Sequence, residues 1–117
     1  MFGRPDDNGR WLRLREVRFE EGKTFGWRIR LPCRQAVEFL EVMKLPAPGD
    51  FEALADVRET TISEDQKIAT TRDFAACIDG WIEHSWSLGA DDPKGPWEIT
   101  VTIAGYEPQV FRPTFVE

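Results

Sequence analysis

The segment Phe25-Gly26-Trp27-Arg28-Ile29-Arg30-Leu31 decides how this chain folds. Large apolar side chains occupy every second position, and glycine or arginine fills the gaps. A period of two is the signature of a β-strand with one face buried and one face wet. The stretch Trp97-Glu98-Ile99-Thr100-Val101-Thr102-Ile103 repeats the pattern. Ile82, His84, Trp86 and Leu88 give a third alternation, interleaved with Trp81, Glu83, Ser85 and Ser87.

Working outward, weaker strands are punctuated by eight prolines and nine glycines. Leu12 and Leu14 alternate, as do Val17 and Phe19, but with opposite parity; one extra residue near Arg15–Glu16, as in a β-bulge, reconciles them. Ile62 and Ile68 flank a polar Ser63-Glu64-Asp65-Gln66 turn. Ala104-Gly105 suggests a final hairpin whose return strand, with Pro108 and Pro113, belongs on an edge. Gln35 to Lys44 (QAVEFLEVMK) has the propensity of a helix, although Val37, Phe39 and Met43 fit a strand interrupted by Glu41. Asp50 to Asp56 suggests a helical turn.

These segments predict an all-β protein, an antiparallel β-sandwich of about seven strands with at most one or two short helices. A small β-barrel with one helix is the runner-up. The length of 117 residues accommodates one domain, assigned to residues 11–117, with 1–10 as a flexible N-terminal segment. Residues 1–10 contain no apolar signal-peptide core, so a cytoplasmic protein is expected, although a chain trimmed of its leader would read the same way. No stretch has the roughly 20 apolar residues of a membrane helix.

A resemblance sharpens this expectation. Gly22 to Pro32 (GKTFGWRIRLP), Gly80-Trp81, Trp86-Ser87-Leu88, Gly95-Pro96-Trp97-Glu98-Ile99-Thr100-Val101, Gly105 and Phe115-Val116 follow one another in an order similar to that of a small bacterial family of unknown function, whose members are single Ig-like β-sandwich domains. The resemblance implies an Ig-like topology, tips Gln35–Lys44 toward strand and implies no activity. The chain departs from antibody-type domains, since no Trp lies between Cys33 and Cys77.

The side-chain inventory argues against most chemistry. Fifteen Lys and Arg against 21 Asp and Glu leave a net charge of −6, which excludes a generic nucleic-acid footprint. One His and two Cys exclude most zinc frameworks, and no nucleophile-elbow, Walker or zinc-hydrolase motif is present. No metal or other cofactor is therefore expected, and an enzyme built on His84, Cys77 and carboxylates ranks last. His84 reads best as a partly buried histidine satisfied by a backbone partner. Cys33 and Cys77 could form a disulfide, but with no secretion signal two free thiols acting as small hydrophobes are favoured.

Binding is the better expectation. Trp27 and Trp97 are in phase with the core, whereas Trp81 and Trp11 are candidates for exposed aromatics that anchor a partner or stack on a sugar. Arg13, Arg15, Arg18, Arg28 and Arg30 could form a basic stripe. A non-enzymatic module is expected, recognising a protein partner or a second copy of itself through a sheet face or edge strand. The segment from Leu12 to Phe19 is the candidate surface. A carbohydrate- or small-ligand-binding module using the exposed tryptophans is the alternative.

Overall fold

A computed structural model describes residues 1–6, 8, 10–20, 23–49, 59–89 and 91–117. Among them the chain forms twelve strands and no helix: β1 (Phe2–Pro5), β2 (Trp11–Arg13), β3 (Glu16–Arg18), β4 (Thr24–Arg30), β5 (Val37–Lys44), β6 (Thr60–Ile62), β7 (Ile68–Ala75), β8 (Trp81–Ser87), β9 (Gly95–Pro96), β10 (Glu98–Thr102), β11 (Gln109–Phe111) and β12 (Thr114–Val116). A four-stranded sheet has the order β2-β1-β4-β8, a five-stranded sheet β11-β10-β5-β7-β6, and a small third sheet β3-β12-β9. The strand pairs are antiparallel except β3 with β12, which run parallel. The all-β sandwich is thus as expected. The strands are shorter and more numerous than seven because several segments change sheets.

The alternations translate directly into burial. Phe25, Trp27, Ile29 and Leu31 point inward from the first large sheet, as do Ile82, Trp86 and Leu88. Trp97, Ile99, Val101 and Ile103 point inward from the other side. The layers meet where the Trp27 ring stands edge-on to Phe39 at 5.1 Å. Phe115 caps one end, touching Phe2, Phe25 and Trp97. Burying side chains of this size contributes about 1.5–3 kcal/mol each.

Val37–Lys44 is a strand, against its helix propensity. It pairs along its whole length with β7 and over five residues with β10, so tertiary context overrides the local preference. Phe39, Glu41 and Met43 all point inward, and the residue that interrupted the apolar pattern is itself in the core. The helical turn expected at Asp50–Asp56 lies outside the described residues.

Three other expectations are corrected. Residues 2–5, set outside the domain, form β1 in the middle of the four-stranded sheet, with Phe2 buried opposite Trp27. The parity change near Arg15 is a change of sheet and not a bulge: β2 lies in the four-stranded sheet and β3 in the small one. The same device recurs at Trp97 between β9 and β10, and at Arg112-Pro113 between β11 and β12. Pro113 suits its corner because it has no N–H to satisfy. Finally, Cys33 and Cys77 form a disulfide with a Cα–Cα distance of 6.0 Å. The sequence alone favours free thiols because it offers no oxidising context. The fold brings the chain after β4 beside the chain after β7, so the bridge ties the two large sheets together.

Candidate functional site

Among the described residues, three places bring polar or aromatic side chains together. The first is a cleft of about 690 Å³ where the chain changes sheets. One wall is the run Arg13, Leu14, Arg15 and Glu16, which leaves β2 and enters β3. The opposite wall is Gln109, Val110, Phe111 and Arg112, the whole of β11 and the residue after it. Met1, Phe2 and Thr114 complete the lining. Both β2 and β11 are edge strands, each hydrogen-bonded on one side only. Val110 is 40% exposed on this wall.

The cleft is cationic within an acidic protein. Arg13, Arg15 and Arg112 line it, with Glu16 the single acidic residue among its lining. Arg112 reaches Glu98 at 3.5 Å, an exposed pair that contributes little. The Met1 ammonium donates to the carbonyl of Arg28, and burial together with the Arg13 charge lowers its pKa to about 6. Burial is the larger cause, because it disfavours the charged form, and the Arg13 charge adds to it.

The second place is the outer face of the four-stranded sheet. The Arg28 guanidinium lies over the Trp81 ring at 4.8 Å and over the Trp11 ring at 5.9 Å, and its Nε is 3.6 Å from Glu83. Each such cation–π contact contributes about 0.5–1 kcal/mol at an exposed site. The stack needs a low floor, which the paired Gly3 and Gly26 supply. A Cβ on Gly3 would collide with the carbonyl of Leu12, and one on Gly26 with the carbonyl of His84. Trp11 and Trp81 are half-buried, not fully exposed.

The third place is inside. Glu41, 1% exposed, accepts the Trp27 indole N–H at 2.5 Å on Oε2, and His84 Nδ1 lies 3.0 Å from the same oxygen. His84 is therefore satisfied by a carboxylate from the facing sheet and not by backbone. A buried carboxylate without such donors would be costly, so this cluster is explained by the core alone.

The structure thus gathers Trp11, Trp81, Arg28, Arg30 and Arg13 onto one sheet face by strand parity, and sends Arg15 to the cleft, where Arg13 also reaches. The single stripe expected from the sequence is two surfaces. Arg112 was missed, since nothing local distinguishes it; it meets Arg13 and Arg15 only because β11 turns beside β2. Glu41 left a signal, a charged residue at an inward position of an otherwise alternating strand.

Among the described residues no helix is long and apolar enough to cross a membrane. The family model described as "PM0630 beta sandwich domain" matches residues 2–114. No curated protein and no solved structure matches the chain.

Proposed function

The chain belongs to the PM0630 beta sandwich domain family, a description that carries a fold and no activity, and we propose that this member is a non-enzymatic module that binds an extended segment of a partner protein. One observation carries the reading: the whole of edge strand β11 and the end of edge strand β2 border the same cleft, and each strand has an unpaired side. An edge strand offers a row of backbone donors and acceptors to an incoming chain, and the neighbouring wall supplies side-chain contacts. A cleft with four consecutive residues on each wall accommodates a short strand. Carbohydrate binding on Trp11 and Trp81 is less well supported, because Arg28 already stacks on both rings.

The test is selection of peptides from a random display library on the intact, oxidised protein, followed by hydrogen–deuterium exchange with a selected peptide bound. Backbone amides of residues 11–16 and 109–112 should gain protection. Failure to enrich any peptide, or protection confined to another surface, would remove this reading.

A further inference from the structure

We infer that the segment received by this cleft is acidic, an extended peptide whose carboxylates are held by Arg13, Arg15 and Arg112. The inference rests on the reading of the cleft as a peptide site and adds the chemistry of its occupant. The three guanidinium groups come from two separate parts of the chain: Arg13 and Arg15 from the run that leaves β2 and enters β3, and Arg112 from the link between β11 and β12. On a protein of net charge −6, such convergence is not what average composition supplies. Drawing like charges into one cleft carries a repulsion. An incoming carboxylate relieves it. Guanidinium is suited to the task, because it remains charged and presents paired N–H donors that match the two oxygens of a carboxylate.

Charge complementarity selects the occupant in a second way. The protein's overall negative field disfavours approach of an acidic chain everywhere except at a local positive patch, so the cleft would set both position and register. A neutral segment could pair with β11 but would bring no countercharge to the arginines of the cleft.

The experiment uses two fluorescently labelled synthetic peptides, one alternating Glu and Thr and the other alternating Gln and Thr, which share strand propensity and differ in charge. Fluorescence anisotropy should show the Glu peptide binding at least about tenfold more tightly, a difference of about 1.4 kcal/mol, with the advantage shrinking as salt is raised. The double variant Arg13→Glu/Arg15→Glu should abolish that preference, and Arg112→Ala should reduce it, with far-ultraviolet circular dichroism confirming that each variant is folded. Free glutamate at matched carboxylate concentration should not displace the peptide; full displacement would mean a simple anion site and overturn the inference. Equal affinity for both peptides, or a preference that survives the Arg13/Arg15 reversal, would also overturn it. Peptides selected from the library that protect the cleft yet carry no acidic excess would overturn the inference while leaving the peptide-binding reading intact.

Discussion

The imidazole of His84, on an edge strand of one large sheet, meets the carboxylate of Glu41, in the other, with Nδ1 3.0 Å from Oε2. Trp27 donates to the same oxygen, so one carboxylate joins three strands across the interior. A carboxylate acceptor assigns the Nδ1 proton to the imidazole side of this contact.

Removal of that carboxylate should be among the most damaging single changes. Glu41→Ala leaves the Trp27 and His84 donors without their acceptor, and a cost of about 3–5 kcal/mol is expected. Glu41→Gln keeps an oxygen for Trp27 and should cost roughly half as much. Urea unfolding of the two variants checks the order; equal stability of Glu41→Ala and the parent would contradict a structural role for the cluster.

Reducing the Cys33–Cys77 bridge should lower stability without changing the fold. The bridged residues are 44 apart, and closing a loop of that size stabilises by about 4 kcal/mol in the chain-entropy model, with smaller values usual in practice. Thermal unfolding with and without reductant reads the shift. Intact mass should rise by two hydrogens on reduction, and thiols that alkylate freely in the untreated protein would exclude the bridge.

Gly26→Ala should destabilise although Gly26 points away from the apolar interior, because it is buried beneath the stack on the outer face. The added methyl would meet the backbone of His84 and Ser85, so β4 and β8 must separate to admit it. A loss of about 1–3 kcal/mol is expected, typical of overpacking. Tryptophan fluorescence should report disturbance of the neighbouring Trp11–Arg28–Trp81 stack. A neutral substitution would show that the strands close less tightly than described.

The turn between β6 and β7 predicts a pH effect of definite sign. Asp65 accepts from the Ser63 hydroxyl at 2.6 Å and from the Lys67 amide at 3.1 Å, and these bonds, the hydroxyl foremost, hold its carboxyl below the usual 3.8. A depressed carboxyl contributes stability that is fully present above its unfolded pKa and is lost as pH falls through its lower folded value. Ser63→Ala should therefore raise the Asp65 pKa toward 3.8, read by NMR titration, and shift the loss of turn order to higher pH. An unchanged titration would show that the hydroxyl is not the main cause.

How much of this was legible in the sequence depended on where each residue's partners lie. The strands from Phe25 and from Trp97 could be read because one buried face imposes a period of two within a single segment. Val37–Lys44 was ambiguous because Glu41 occupies an inward position, and the groups that make it tolerable, Trp27 and His84, sit far away in sequence. Phe2 and the change of sheet after Arg13 were hidden for a similar reason: one apolar residue in a polar segment carries no period, and a change of partner sheet looks locally like a bulge. Arg13 and Arg15 were picked out by charge, but their meeting with Arg112 is a product of topology alone.

The inward carboxylate of Glu41 also acts as a key for alignment. If β5 slid by one residue against its neighbours, its greasy and polar faces would exchange sides. If it slid by two, the faces would be kept but a charged group would be stranded among hydrocarbon, out of reach of its indole and imidazole donors. A purely aliphatic strand would tolerate the second error far better, so this polar residue buys fidelity of assembly for the long central strand that joins both halves of the five-stranded layer.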